Sequence, residues 1–140
     1  MDDEKRKKMI LLVEDNEGDV LLAKEAVLHN NSDIELIHVN NGDEAFEYLF
    51  NRNNIMPDLI ILDLNLPGMN GIEILQILKN EPKTQRIPVT IFSMSSNESD
   101  ISRCYNLKAN SFITKPIDLD EFFEVFKGID EFMKNNLNQR

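Results

Sequence analysis

The chain has 140 residues, enough for one domain with a substantial core, and 41% of them are hydrophobic, as in an ordinary soluble globule. Fifteen Lys and Arg against 25 Asp and Glu leave a net charge of −10, which argues against a nucleic-acid binder and against docking on an anionic membrane surface. The single cysteine, Cys104, cannot form an intramolecular disulfide and fits a reducing cytoplasm, while the longest apolar run, residues 9–13, is far too short for a membrane span or a signal-peptide core.

Residues 1–8 are almost all charged and lack an apolar face, so they are expected to form a solvated tail. Residues 9–13 predict a first strand, and 18–30 a helix with Val20, Ala23 and Val27 on one face. A second strand is expected over 34–39. The turn at Asn41, Gly42 and Asp43 then leads into a helix over 43–50 carrying Phe46, Leu49 and Phe50. Residues 59–62 are wholly apolar, as expected of a strand covered on both faces. Asn70, with Glu73 three residues later, predicts a capping box for a helix over 70–80 that presents Ile74, Ile77 and Leu78. Residues 82–88 read as a surface loop, and 89–92 as a fourth strand. A short polar helix over 99–107, capped by Ser99, is followed by a strand over 111–114. Asp118 is the expected cap of a last helix over 119–136, whose Phe122, Val125, Phe126, Ile129 and Met133 recur every three or four residues. Phe123 and Phe132 widen that apolar stripe beyond what one sheet requires and mark a candidate contact surface.

Strict alternation of strands and helices implies a parallel sheet with helices on both faces, because parallel neighbours need crossovers. One domain is expected over 9–136, with 137–140 as a C-terminal tail. Ligands of such sheets bind beyond the carboxyl ends of the strands. Glu14-Asp15-Asn16, Asp63-Leu64-Asn65, Ser93-Met94-Ser95 and Thr114-Lys115-Pro116 occupy those places. Three carboxylates, a hydroxyl and a lysine would share one rim if the first and third strands are neighbours.

Clustered carboxylates repel one another unless a cation sits among them, and Mg²⁺ suits an oxygen-only donor set that keeps waters. A carboxylate can also attack phosphorus to form an aspartyl-phosphate, with Mg²⁺, the Lys115 ammonium and the Ser93 hydroxyl meeting the new charge. Each residue alone has a plainer reading: Asp15 or Asn16 as a helix cap, Asp63 as a loop carboxylate, Lys115-Pro116 as a turn. Their joint placement at one end of successive strands is what those readings do not explain.

Leu12-Val13-Glu14-Asp15-Asn16, the run Asp58-Leu-Ile-Ile-Leu-Asp-Leu-Asn-Leu-Pro-Gly-Met-Asn-Gly71, Ile87-Pro88-Val89 followed by Ser93, and Thr114-Lys115-Pro116 resemble the motif series of response-regulator receiver domains. The resemblance runs in order from Met9 to about Phe132. Gly18-Asp19, Leu64-Asn65-Leu66-Pro67, Asn97-Glu98-Ser99-Asp100-Ile101 and Lys115-Pro116-Ile117-Asp118-Leu119 resemble the stand-alone receivers related to the cyanobacterial phytochrome response regulators. The resemblance implies a flavodoxin-like (βα)5 doubly wound sheet with strand order 2-1-3-4-5, an order that alternation alone does not supply.

Residue by residue, it implies Asp63 as phosphoacceptor and Asp15 as a direct Mg²⁺ ligand. Glu14 would act on the metal through water, and Asn65 through its backbone carbonyl. Ser93 takes the hydroxyl position, Lys115 binds the phosphoryl group, the Lys115-Pro116 bond is expected to be cis, and Phe112 fills the aromatic switch position. Phe112 lacks the hydroxyl of a Tyr switch, and Met94 is bulkier than the small residues common beside Ser93. The implied function is a cytoplasmic single-domain response regulator, a signalling phosphoacceptor whose only catalysis is its own phosphorylation and dephosphorylation. Its partners would be a sensor histidine kinase, of phytochrome type given the subgroup, or a phosphotransfer protein, with output through protein contacts and a homodimer through the C-terminal helix region as one form of it. No nucleic acid or membrane partner is expected. Two alternatives stand beside this. A Mg²⁺-dependent phosphatase with an aspartyl nucleophile is disfavoured because Asn65 stands where an acid-base Asp would be needed. A phosphorylation-independent binding module is disfavoured by the full set Glu14, Asp15, Asp63, Ser93 and Lys115. His29, His38 and Cys104 read as structural residues.

Overall fold

The strands sort their side chains by period two, and this decides which helix covers which face. The computed structural model describes residues 7–30, 33–95 and 97–137. Five parallel strands, β1 (Lys8–Val13), β2 (Ile34–Val39), β3 (Leu59–Leu62), β4 (Val89–Ser93) and β5 (Ser111–Thr114), lie in the order β2-β1-β3-β4-β5. This is the flavodoxin-like order, with β1 between β2 and β3. The helices are α1 (Glu17–His29), α2 (Gly42–Leu49), α3 (Gly71–Asn80), α4 (Glu98–Asn106) and α5 (Leu119–Leu137).

Leu11, Val13, Ile60, Leu62, Val89 and Ile91 pack with Leu49, Ile74, Leu75, Leu78 and Cys104, so α2, α3 and α4 cover one face. Ile10, Leu12, Leu59, Ile61 and Phe92 pack with Val20, Ala23, Val27, Phe122, Phe126, Ile129 and Met133, so α1 and α5 cover the other. Phe92 meets Phe122 and Phe126 edge-on at 5.4 and 6.0 Å, and Phe122 stacks on Phe126 at 5.4 Å.

Side-chain caps start the helices. Asn16, Asn41, Asn70 and Asn97 each accept a first-turn amide, Asn70 and Glu73 form the full capping box, and Asp118 accepts from Asp120 and Glu121. Ser99 is therefore not the cap of α4. Asn97 is in reach of the amides of both Ser99 and Asp100 and starts the helix earlier. In α3 the sheet meets the stripe Gly71, Ile74, Leu75 and Leu78; Ile77 falls off that stripe and is exposed. Phe50 is likewise exposed, with the Lys83 ammonium 5.9 Å from its ring.

The α4 helix ends in a Schellman arrangement: Lys108 N–H donates to the Tyr105 carbonyl and Ala109 N–H to the Cys104 carbonyl, both at 2.9 Å. Lys108 adopts φ +75°, a left-handed conformation that usually calls for glycine. Lys8 of β1 pairs with Ile34 of β2 and Leu137 closes α5, while residues 1–6 and 138–140, where the tails are expected, lie outside the described residues.

Candidate functional site

Where the strands end, the backbone keeps its register for one more step. Glu14 N–H donates to the Val39 carbonyl, Asp63 N–H to Val13 and Lys115 N–H to Ser93, at 3.0, 3.1 and 2.8 Å. Period two then places Glu14 in series with Ile10 and Leu12, Asp63 with Leu59 and Ile61, and Lys115 with Ile113. All three series belong to the face covered by α1 and α5. This is why residues scattered along the chain meet.

Ligand oxygens of Glu14, Asp15 and Asp63 lie within 4.8 Å of one another, with Glu14 and Asp63 buried and Asp15 exposed. Lys115 Nζ donates to Glu14 Oε1 at 2.8 Å, to Asp19 Oδ2 at 2.8 Å and to Asp63 Oδ2 at 3.2 Å. It also sits 5.8 Å from the Phe92 ring centre. The other carboxylate oxygens are held from the backbone, Asp63 Oδ1 by the Asn65 amide at 3.1 Å and Glu14 Oε2 by the Asn16 amide at 3.2 Å. His38 Nε2–H donates to the Glu14 carbonyl at 2.7 Å and so supports the same turn.

Burial pushes the Glu14 carboxyl up to about 7, against the Lys115 hydrogen bond that lowers it, and the Asp63 charge adds to the rise. Burial alone would lower the Lys115 ammonium; the hydrogen bonds to Asp19 and Glu14 and the charges of Asp63 and Glu14 outweigh it and hold it above its ordinary value. Three such carboxylates in one small space form a donor set for a hard divalent cation, which would relieve their repulsion and the cost of the Glu14 charge.

The segment after Asp63 is held tightly. Gly71 N–H donates to the Leu64 carbonyl at 2.9 Å, and a Cβ on Gly71 would stand 2.3 Å from the Asp63 carbonyl oxygen. Gly68, at φ +75°, makes the turn between. Ser93 is fully buried at the end of β4, its Oγ accepting the Ser95 amide at 3.2 Å, and Ser95 Oγ donates to Asp100 in α4 at 3.5 Å. Phe112 is half-buried against the core under α2, α3 and α4, and its N–H donates to the Tyr105 hydroxyl at 3.1 Å. Met94 is exposed.

The Lys115–Pro116 bond is trans, not cis. The trans form is favoured by about 0.5–1 kcal/mol even before proline, and from it Lys115 already reaches all three carboxylates. In the sequence Asp19 stands out only as part of the Gly18-Asp19 motif, with no role at the site, although it is one of the two shortest partners of Lys115. Its signal was its place four residues after Asp15, in the first turn of a helix that starts at the rim. Of the other singled-out residues, His29 is exposed and stacks on Phe123 at 4.7 Å, and Cys104 is buried with its thiol pushed up to about 11 by burial.

A parallel sheet in this order, with carboxylates and a lysine gathered at its carboxyl rim, defines a class, and residues 10–127 match the response regulator receiver domain; the chain belongs to that family. The response regulator Rcp1 of Synechocystis sp. is 39% identical over 129 residues, covering 89% of this chain and 88% of the relative. The crystal structure of the phosphorylated cyanobacterial phytochrome response regulator RcpA is 44% identical, with a TM-score of 0.85 over 90% of this chain and 93% of that one. The Mn²⁺-bound form of Rcp1 is 39% identical, with a TM-score of 0.82 over 89% and 93%. Receiver-domain response regulators are signalling proteins. No helix among the described residues is long and apolar enough to cross a membrane.

Proposed function

We propose that Asp63 accepts a phosphoryl group from a phosphohistidine of a sensor kinase or phosphotransfer protein, with Mg²⁺ as the cation. The observation that carries this reading is that Asp63 meets the ammonium of Lys115, at 3.2 Å, while its oxygens cluster with those of Glu14 and Asp15. An Asp63 carboxylate oxygen attacks phosphorus, the bond from phosphorus to the donor nitrogen breaks, and the electron pair leaves with the imidazole. Water later cleaves the acyl-phosphate, returning the carboxylate and inorganic phosphate. Lys115 and the Ser93 hydroxyl supply donors to the phosphoryl oxygens. Asp15, Asp63 and the Asn65 carbonyl would hold the metal directly and Glu14 through water; when bound, it neutralises the charge gathered at the rim.

Phosphorylation biases a two-state element, since the phosphoryl group interacts better with Ser93 drawn inward. Phe112 follows by packing alone, and the surface of α4, β5 and α5 changes with it. Output then passes to a protein partner or a second copy of the chain. The groove of about 460 Å³ beside β5 and α5, lined by Ile113, Val125, Ile129 and Phe132, supports that surface. Acetyl phosphate and Mg²⁺ should add one phosphoryl mass to the wild type and none to Asp63→Asn, read by intact mass. An equal adduct on the variant would place the acceptor elsewhere.

A further inference from the structure

An ammonium has three N–H donors, and Lys115 spends all of them on carboxylates. Glu14 and Asp63 belong to the cation cluster; Asp19 does not. A cation at the rim would draw on Asp63 directly and on Glu14 through water, and would repel the neighbouring ammonium. Of the three partners, Asp19 alone lies outside that cluster.

We propose that Asp19 is a positioning residue that keeps the Lys115 ammonium over Asp63 once a divalent cation occupies the rim. The inference rests on the metal reading above. Asp19 is built for the task. It is the third residue of α1, and its N–H donates to the Asn16 cap at 2.9 Å. The first helical turn favours its negative charge. Its side chain is only 23% exposed, so the bond to Lys115, across 96 residues of sequence, is shielded from solvent on most sides. Without Asp19 a metal-loaded rim would turn Lys115 out toward water and remove a donor from the incoming phosphoryl group. Glu14 would be a poorer substitute, because its carboxylate would also face the cation through water.

Covalent acetylation of lysines in the full chain, with Lys115 quantified by peptide mass spectrometry, tests this. Without metal, Lys115 should be equally protected in wild type and Asp19→Asn, because Glu14 and Asp63 still hold it. With Mg²⁺, labelling of Lys115 should rise roughly 3- to 10-fold in Asp19→Asn, the worth of a partly screened charged hydrogen bond, and stay low in the wild type and in Asp19→Glu. Equal labelling of wild type and Asp19→Asn in Mg²⁺ overturns the proposal, as does an Asn variant already labelled as fast without metal. Backbone amide spectra of the same samples report metal binding and folding. Amides of the wild type that do not respond to Mg²⁺ overturn the metal reading and this inference with it, whereas bound Mg²⁺ with unchanged labelling overturns this inference alone.

Discussion

Two helices follow the strands that lead to Asp63 and end in Ser93, and they are held in opposite ways. The α3 helix enters through a reciprocal capping box, presses Gly71 against the Asp63 backbone and buries Ile74, Leu75 and Leu78. The α4 helix has one buried residue, Cys104, and closes on a lysine in the left-handed region. Asp63, the proposed acceptor, is thus fixed in a frame that resists displacement, while the Ser93 hydroxyl connects through Ser95 and Asp100 to a helix with little to hold it. On the proposed function, a signal generated at the rim would leave by the loose side, because local opening requires least free energy where few apolar contacts are lost.

The contrast can be broken most directly at Gly71. Gly71→Ala drives a methyl into the Asp63 carbonyl and should cost about 3 kcal/mol in urea unfolding; a loss below ~0.5 kcal/mol would show that the frame yields. Next in size is the buried charge beside that frame. The folded carboxyl of Glu14 is raised from 4.5 to about 7, so protons bind the native state more tightly and stability falls as pH rises between those values. In metal-free buffer Glu14→Gln should therefore stabilise the protein by about 2 kcal/mol above pH 7, and the gain should vanish below about pH 4.5. A gain that instead grows toward acid would invert the assignment.

The caps sharpen the comparison further. Asn70→Ala removes one half of a two-way box and should cost about 1–2 kcal/mol, against ~0.5–1 kcal/mol for Asn97→Ala at the looser helix. Equal losses in chemical denaturation would mean the two helices are held alike. The smallest effect is expected at the end of α4. Lys108→Gly relieves the left-handed strain and should stabilise by up to ~1 kcal/mol, less the added freedom of the unfolded chain. A melting temperature lowered by this change would show the lysine side chain contributing more than its backbone costs.

The frame was largely legible before any coordinates. The spans 34–39, 59–62 and 111–114 stood out because their β-rich residues are bounded by turn signals, and Asn70-Gly71 with Glu73 announced the start of α3. Glu14, Asp15, Asp63 and Lys115 were legible as strand-end residues, and their meeting needed only the adjacency of β1 and β3. That adjacency came from resemblance, since alternation of strands and helices does not order a sheet. The role of Asp19, by contrast, stayed hidden although the residue itself belongs to the Gly18-Asp19 motif. An acidic residue in a first helical turn is sufficiently explained by the helix dipole, and nothing local reveals a lysine 96 residues away. Leu75 and Ile77 exchanged places for a similar cause: both fit an apolar stripe of period 3.6, and only the tilt of α3 on the sheet chooses between them.

The Tyr105 hydroxyl, bonded to the Phe112 amide, has a consequence for how molecules can meet this protein. β5 is the last strand of the sheet, and an open row of outward amides there would invite a further strand from another chain. The phenol occupies one of those amides from the side. Strand addition at this border would first have to evict it, so the border resists the edge-to-edge zippering that turns exposed sheets into aggregates. A partner that comes to this side is steered toward reading side chains, and so toward a contact that ends when the surface changes shape.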